Sequence, residues 1–425
     1  MKRKWKVVIL IILILGILSA FFGVQFIKNA RQDRTWPFNS GMQLPAFVKY
    51  YAYKYTNPES LKIKTHLYEI DTEFLSIPDQ EAIGGGGSVN ILNRDNLLVT
   101  LNNGNNWILN LTTKNFIKGP DIFSNKFLSI RDVNIFPEKK EIALLVGENK
   151  DNCIVMKLKI YDFSFLEKKL EIKNNRTLWK SEKMCEDFDP FINNGGGRVI
   201  FYKNSYFISL GYLAGNSGNA KNFGSGIYEF VQDLNSSFGK IIRIFDVDKS
   251  EIYSIGHRNP QGLFVTRKND LLIATEHGPK GGDEINLITK DSNYGWPCKT
   301  IGTMYSYNYS KGSKAWPGAS DLKDYGCKKN KVFVDPMYSW TPSIGASQGL
   351  EYNRDEFPKW KDDLIISSLV GGSLFRVHLS DNNHVINVEK IKVNERIRDL
   401  IESPSGKLIL YTDGGSLIFL SNNNK

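Results

Sequence analysis

Short apolar runs, each separated from the next by a cluster of turn-forming residues, make up the chain beyond residue 60. Examples are NLLVTL at 96–101, IVMKLKIY at 154–161 and KLILYT at 407–412. Runs of this length that are bounded by Asn, Asp, Gly, Lys and Pro are typical of β-strands joined by hairpin turns. Helix signals are scarce after the N-terminal segment, while β-prone Tyr and Phe recur throughout, so the sequence predicts an all-β fold.

Some of these segments repeat one another. GLFVTRKNDLLIATEHG at 262–278 and DLIESPSGKLILYTDGG at 399–415 share a form in which a strand and a polar turn lead into an apolar strand and a Gly-bearing turn. Repeats spaced by tens of residues predict a β-propeller, which arranges four-stranded blades radially and so removes long exposed sheet edges. At roughly 60 residues per blade, residues 61–425 predict a six-bladed β-propeller.

The N-terminus carries an apolar segment without charges, Val7–Val24, directly after a short basic stretch. At about 1.5 Å per residue it reaches about 27 Å, close to the ~30 Å hydrocarbon core of a bilayer. We therefore expect a single N-terminal transmembrane helix, with residues 1–27 as a membrane anchor and residues 28–60 as a linker. A cleaved signal peptide is the alternative, although the apolar run is long for one and no clear cleavage site follows it.

The basic stretch before this segment also predicts the topology. Cationic residues are retained in the cytoplasm, which places the propeller on the periplasmic or extracellular side of a single-pass protein of the cell (inner) membrane. Elsewhere the charges, 55 basic and 45 acidic with a net charge of +10, are interspersed and accompany no recognition motif. Nucleic acid is therefore not an expected partner.

Four cysteines, without CxxC or metal-like spacing, argue against a zinc site. In an extracytoplasmic protein disulfides are permitted. Cys298 and Cys327 bracket a segment rich in Gly, Tyr and Lys that looks like a long loop, and Cys153 and Cys185 bracket another segment. We expect these two pairs to be bonded, although four cysteines allow three pairings.

Several longer motifs, in their order along the chain, resemble one family. They are GHRNPQGL at 256–263, TEHGPKGGDEINLI at 275–288, NYGWP at 293–297, YSWTPSIGASQGLEY at 338–352 and RIRDLIESPSGKLILYTDGG at 396–415. This series resembles the glucose/sorbosone dehydrogenases, the soluble aldose sugar dehydrogenases that depend on pyrroloquinoline quinone (PQQ). The resemblance runs from about residue 195 to 420 and is weak before it.

The resemblance implies a PQQ site at one end of the central channel of a six-bladed propeller, with Arg258 polarising the quinone. The residues that it assigns to PQQ are Arg258, Asn259, His277, Trp340, Thr341, Arg396 and Arg398. The groups that it assigns to Ca²⁺ are the carbonyls of Gly278 and Pro279 and, at a second structural position, Glu284 with the carbonyl of Tyr294.

General chemistry agrees with part of this assignment. A guanidinium offers a planar fork to a carboxylate, and PQQ carries three carboxylates. Arg396 and Arg398 are otherwise explained as a solvated strand of alternating charge, and Asp283 and Glu284 as capping or salt-bridge residues. We expect the buried Arg258 to find its partners only when an anionic or carbonyl-bearing ligand enters the channel.

Three departures from the family pattern bear on catalysis. Asn194 stands where the family has its catalytic His, with Asn193 as the alternative in a shifted alignment. Tyr212 replaces the Asp that orients this His, and Val370 replaces a Lys that holds PQQ. An amide has no useful basicity at neutral pH, and a general base contributes ~10²–10⁴-fold. The carboxylates of the segment 186–189 (EDFD) are candidates for a substitute base.

Two functions therefore stand as hypotheses. The first is a membrane-anchored extracytoplasmic oxidoreductase, similar to quinoproteins, that oxidises a sugar or related alcohol with PQQ and Ca²⁺ and passes the electrons to an acceptor that the sequence does not identify. The second is a non-catalytic propeller that binds a sugar, a quinone-like ligand or a protein partner. A hydrolase with a Ser or Cys nucleophile has no supporting motif such as GxSxG.

Overall fold

The computed structural model describes residues 62–78, 87–120, 129–151, 153–185, 195–212, 229–279, 281–302, 327 and 332–423. The expected anchor (1–27), the linker (28–60), Asn193, Asn194 and the acidic segment 186–189 lie outside these ranges. Within them, no helix is long and apolar enough to cross a membrane.

The described strands form six sheets, the blades of a propeller, in which neighbouring strands run antiparallel except for one short parallel pair. The chain enters with β1 (Lys62–Lys64) and β2 (Glu69–Ser76). The first blade contains β3 (Gly87–Asn93), β4 (Asn96–Leu101), β5 (Asn106–Asn110) and β6 (Phe116–Lys118). The second contains β7 (Ser129–Phe136), β8 (Glu141–Lys150), β9 (Cys153–Leu166) and β10 (Lys169–Lys180).

The third blade contains β11 (Arg198–Tyr202), β12 (Ser205–Leu210), β13 (Lys240–Asp246) and β14 (Lys249–Ile255). A one-turn helix, α1 (Glu229–Gln232), precedes β13. The fourth contains β15 (Pro260–Val265), β16 (Leu272–Glu276), β17 (Asp283–Leu287) and β19 (Tyr338–Trp340), while β18 (Ser292–Asn293) pairs with β14. The fifth contains β20 (Ala346–Glu351), β21 (Leu364–Ser368), β22 (Ser373–Leu379) and β23 (Val385–Lys392).

The sixth blade closes the ring with both ends of the described chain. Strands β24 (Ile397–Glu402), β25 (Leu408–Thr412) and β26 (Ser416–Asn422) are followed in the sheet by β2 and β1, because β26 pairs with β2 along its whole length. The prediction of an all-β, six-bladed propeller is confirmed.

The inner strand of each blade lines the central channel. These strands are β3, β7, β11, β15, β20 and β24, and each contacts the inner strand of the next blade. Because every blade repeats the same order from inner to outer strand, the inner strands all begin at one end of the channel. Residues at the start of an inner strand in different blades therefore meet there.

Apolar side chains between neighbouring blades form the core. One cluster joins the closing sheet to the fifth blade through Ile70, Tyr352, Phe357, Trp360 and Ile418. The structure contains two disulfides, Cys153–Cys185 and Cys298–Cys327, so both predicted pairs are confirmed.

Candidate functional site

Four of the predicted site residues, Arg258, Asn259, His277 and Arg398, come together at the end of the channel where the inner strands begin. The amide of Gly196, just before β11, donates to Asn259 Oδ1 at 2.9 Å, and the amide of His277 donates to the carbonyl of Asn259 at 3.0 Å. The charge of Arg398 from β24 acts on His277. The third, fourth and sixth blades thus contribute to one site.

Arg258 is buried at the centre of this region. Its Nη1 donates to the carbonyls of His277 (3.0 Å) and Gly278 (2.7 Å), and its guanidinium lies over the rings of Trp296 (5.1 Å) and Tyr212 (5.6 Å). The expectation that Arg258 finds partners only from a ligand was therefore wrong, because local backbone carbonyls and aromatic faces hold the cation. Its Nε is buried without a hydrogen-bond partner among the described residues.

Asn259 and His277 form a hydrogen-bonded pair with a defined orientation. Asn259 Oδ1 accepts from Gly196 and from Gln261 Nε2 (2.8 Å), which turns Nδ2 towards His277 Nδ1 at 3.3 Å. If Nδ1 accepts, the ring proton resides on Nε2, which is buried without a partner in the described part of the chain. Burial lowers the pKa of His277, and the charges of Arg258 and Arg398 lower it further against the opposing effect of Asp283. The imidazole is neutral at pH 7 and presents a donor.

Arg396 and Arg398 share one counter-ion. Arg398 donates to both oxygens of Asp413 (2.8 and 2.9 Å), and Arg396 Nε donates to Oδ2 at 3.0 Å. Burial alone would raise the pKa of Asp413, but the two guanidinium groups hold it below its usual value. Two cations on one carboxylate leave a net positive charge and further donors at this end of the channel.

Asp283 has a structural role. Its Oδ2 accepts the amides of Ile344 (3.0 Å), Gly345 (2.5 Å) and Ala346 (3.0 Å), and its Oδ1 accepts the amide of Gly278 at 3.1 Å. The carboxylate ties the turn before β20 to the fourth blade, as the capping interpretation expected.

Glu284 lies beside a second buried carboxylate, Glu276. The amide of Asn286 bridges them, at 2.8 Å to Glu276 and 3.1 Å to Glu284. Burial, together with the charge of Glu276, raises the pKa of Glu284 to about 8. Tyr294 is buried with its ring stacked on His257. The described residues contain no group of three or more His, Cys, Asp or Glu side chains arranged to hold a metal ion.

The carbonyls assigned to the other Ca²⁺ position already accept hydrogen bonds. Gly278 accepts from Arg258, and Pro279 accepts from Ser343 Oγ at 3.1 Å. A carbonyl oxygen has two lone pairs, but the guanidinium beside Gly278 opposes a nearby cation. This position therefore fits a hard cation less well than the Glu276–Glu284 pair does.

The remaining predicted residues occupy different surroundings. Trp340 is buried between Tyr338 and Phe375, and its indole nitrogen has no hydrogen-bond partner among the residues described. Thr341 is exposed near Gly281. Val370, where the family has a Lys, is about half exposed beside Gly345.

Sequence reasoning missed a buried ion network along the channel. Arg198 Nη1 contacts Asp132 (3.3 Å) and Asp399 (3.1 Å), its Nε donates to the carbonyl of Gln261 (2.7 Å), and its Nη2 donates to the carbonyl of Arg398 (3.0 Å). Burial raises the pKa of Asp132 to about 6 against the attraction of Arg198. The repeated Ile-Arg-Asp triplets at 130–132 and 397–399, which contain both acids of this network, were the sequence signal that could have indicated it.

Residues 87–419, which include all of β3 to β25, match the family Glucose / Sorbosone dehydrogenase. The chain belongs to this family. Among curated relatives, this glucose/sorbosone dehydrogenase family member is 32% identical over 251 residues to the aldose sugar dehydrogenase YliI of Escherichia coli K12, covering 55% of this chain and 61% of the relative. It is 30% identical over 234 residues to quinoprotein glucose dehydrogenase B of Acinetobacter calcoaceticus, covering 42% and 48%.

The chain thus spans about half to three fifths of the length of these relatives. Among solved structures, the family member resembles the apo form of the soluble aldose sugar dehydrogenase of Escherichia coli, with a TM-score of 0.65 and 25% identity over 83% of this chain and 100% of that chain. The PQQ-bound aldose sugar dehydrogenase of Streptomyces coelicolor (TM-score 0.57, 18% identity, 83% and 98%) shares the fold.

Proposed function

We propose that this family member binds PQQ at the channel end formed by Arg258, Asn259, His277, Arg396 and Arg398, and oxidises a sugar or related alcohol there. We further propose that the N-terminal segment anchors it in the membrane with the propeller on the extracytoplasmic side. Two curated relatives are named as a sugar dehydrogenase and a quinoprotein, which supports the reaction class.

One observation carries the cofactor proposal. Two of the residues that the family resemblance assigns to PQQ and that meet at this end of the channel hold buried donors without a partner among the described residues, namely Arg258 Nε and His277 Nε2. Leaving a buried donor unsatisfied costs about 1–3 kcal/mol, which a ligand rich in acceptors would recover. PQQ supplies carboxylates and quinone carbonyls, and when bound it would accept the hydride. The net positive charge around Asp413 suits the carboxylates.

The residues of this chain would hold and orient such a ligand. Two backbone carbonyls and two aromatic rings already hold Arg258 in place. Its remaining donors could therefore bind a ligand with little further loss of side-chain entropy. His277, neutral and oriented by Asn259, would add a hydrogen bond. For Ca²⁺ we propose the Glu276–Glu284 pair, because burial and then the charge of Glu276 raise the pKa of Glu284 to about 8, and a divalent cation between these carboxylates would offset both effects.

The second candidate is a propeller that binds the ligand without turnover. Asn194 at the base position favours it, since an amide accepts no proton at neutral pH. Tyr212 favours it too, because its ring packs on Arg258 where the family has the carboxylate that orients the base. The two candidates share the binding site and differ only in chemistry.

Calorimetric titration of the purified protein with PQQ, with and without Ca²⁺, tests the binding step. Arg258→Ala should weaken PQQ binding by about 1.5–3 kcal/mol, or roughly 10- to 150-fold, because a charge-assisted hydrogen bond is lost. Arg243→Ala, which removes a guanidinium from β13 outside the channel, should leave the affinity unchanged. If PQQ gives no heat with the wild-type protein, the cofactor proposal is wrong.

Sugar-dependent reduction of a dye separates the two candidates. Turnover by the PQQ-loaded wild-type protein would support the dehydrogenase and show that Asn194 is not disabling. Turnover that occurs only in the triple variant Asn194→His/Tyr212→Asp/Val370→Lys would support a binding protein on a dehydrogenase scaffold.

A further inference from the structure

The turn after β18 lies directly against the backbone that leads into Arg258. The amide of Trp296 in this turn donates to the carbonyl of Gly256 at 3.0 Å. Gly256 has a φ of +82°, and a Cβ at this residue would lie 2.3 Å from Asn293 Oδ1 and 2.6 Å from the amide of Gly295. Only a glycine fits here, because it lacks the Cβ and adopts a positive φ without strain.

Trp296 completes the contacts that fix the plane of the Arg258 guanidinium. The carbonyls of His277 and Gly278 hold its Nη1 edge, while the rings of Trp296 and Tyr212 lie over its faces at 5.1 and 5.6 Å. The carbonyls anchor one edge, and the rings oppose rotation of the plane about that edge. The Nε–H group, which is buried without a hydrogen-bond partner among the described residues, is therefore held in one direction.

Gln232, the last residue of α1, holds the turn that carries Trp296. Its Nε2 donates to the carbonyl of Trp296 at 2.7 Å. The side-chain amides of Gln232 and Asn293 also exchange two hydrogen bonds, at 2.8 and 3.1 Å. Gln232 is buried, so water competes little for these bonds. Both ends of its amide group are thus engaged with this turn.

A fully buried lysine keeps α1 in place. The helix has only four residues, which is too short for a helix to be stable by itself. Lys240, the first residue of β13, is fully buried. Its Nζ donates to three backbone carbonyls, those of Phe230 (2.7 Å), Val231 (2.9 Å) and Phe238 (2.8 Å). Direct contacts therefore connect the third blade, through Gln232 and Trp296, to Arg258.

We propose that Trp296 is a positioning residue of the channel site. It holds the guanidinium of Arg258 in the orientation that the ligand meets, and Gln232 keeps Trp296 in place. The effect on a ligand rests on the function proposed above, in which PQQ binds to Arg258. The orientation of Arg258 itself can be measured without a ligand.

NMR of the isotope-labelled full chain reports this orientation through the Nε–H resonance of Arg258, which Arg258→Lys identifies by removing it. In the wild type we expect the resonance to be displaced by the ring currents of both aromatic faces and to exchange slowly with water, because the group is buried. Trp296→Leu should move it towards the resonances of exposed arginines and speed its exchange. Trp296→Phe, which keeps an aromatic face, should lie between, and Gln232→Ala should shift it in the same direction as Trp296→Leu.

The control for this experiment is Trp107→Leu. Trp107 lies on β5 of the first blade, where its ring packs on Phe116. The variant removes a tryptophan from a blade that contributes none of the contacts of Arg258 described above. The Arg258 resonance should therefore be the same as in the wild type.

Calorimetric titration with PQQ tests the consequence for the ligand. Trp296→Leu should weaken binding by about 5- to 30-fold, the range for losing a cation–π contact in a desolvated site. In the Arg258→Ala background the same substitution should change the affinity by less than about 2-fold, because the ring then has no cation to hold. A purely structural role of Trp296 would weaken binding equally in both backgrounds.

The inference is wrong if the Arg258 resonance is the same in Trp296→Leu as in the wild type, or if Trp296→Leu weakens PQQ binding equally with and without Arg258. If PQQ gives no heat with the wild type, the cofactor proposed above is rejected, and the resonance still decides whether Trp296 positions Arg258. If thermal unfolding shows that Trp296→Leu does not fold, Gln232→Ala and Trp296→Phe provide the same comparison.

Discussion

Replacing Arg198 with Met should destabilise the propeller by about 3–5 kcal/mol at pH 7. The substitution keeps an apolar stem but removes donors to Asp132, Asp399 and the carbonyls of Gln261 and Arg398. Breaking a buried ion pair on one side costs about 3–5 kcal/mol, because the remaining charges are left without compensation. The four contacts share one guanidinium, so summing them separately would count the same desolvation several times.

This loss should depend on pH in a defined direction. The pKa of Asp132 is already raised to about 6 by burial while Arg198 is present, and burial raises the pKa of Asp399 as well. Without the guanidinium both carboxylates should bind protons more readily in the folded state, so their stabilising contribution is present at low pH and is lost as the pH rises. At pH 5 the variant should recover part of the lost stability relative to the wild type.

Urea unfolding at pH 7 and pH 5, followed by tryptophan fluorescence, measures both effects. Arg243→Met on β13, where Arg243 contacts Glu251 in a partly exposed ion pair, is the control and should cost less than about 1 kcal/mol. Adding Asp132→Asn and Asp399→Asn to Arg198→Met should restore stability, since Asn still accepts the amides of Val199 and Val89. A loss below about 1 kcal/mol at pH 7, or an equal loss at both pH values, would refute the reasoning.

Three further predictions follow from other parts of the molecule. Ile70→Ala, at a fully buried position of β2 in the closing sheet, should cost about 2–5 kcal/mol, whereas Glu73→Ala on the same strand should cost less than about 1 kcal/mol. Equal losses of stability in denaturant unfolding would contradict the closure of the ring through β2. The pKa of Glu284 is raised to about 8, so the folded protein keeps this carboxyl protonated over a pH range in which the unfolded chain ionises it. The wild type should therefore lose stability relative to Glu284→Gln as the pH rises from 5 to 9. If the unfolding temperatures of the two proteins change with pH in the same way, this prediction is wrong. A phosphatase fused to the C-terminus should be active and a cytoplasmic reporter silent, and the reverse pattern would reject the proposed topology.

The fold was predictable because its signals are local. Each strand is a short apolar run between turn residues, and the two repeated segments at 262–278 and 399–415 supply strands of the fourth and sixth blades in the same inner-to-middle order. The pairing of Cys298 with Cys327 was likewise predictable, because these residues bracket one segment. These features depend on residues close together in the sequence, so they can be predicted without knowing how the blades close into a ring.

Pairings between blades were not predictable, because they join residues that only ring closure brings together. Arg198 and Arg398 are 200 positions apart, and their contact depends on two inner strands reaching the same channel level. The partner of Arg258 was mispredicted for a related reason. The turn after β16 places the carbonyls of His277 and Gly278 against Nη1, and nothing in residue type indicates which carbonyls face inward.

The pairing of β2 with β26 also fixes an order for biosynthesis. Translation delivers β2 before any complete blade, yet the strand that covers its hydrogen-bonding edge is the last described strand of the chain. Until β26 emerges, β2 exposes unpaired amides and carbonyls together with the apolar side chain of Ile70, which is the kind of edge that recruits other chains. This edge therefore stays open from the synthesis of β2 until the synthesis of β26, and the pairing of these two strands converts an open row of blades into a ring.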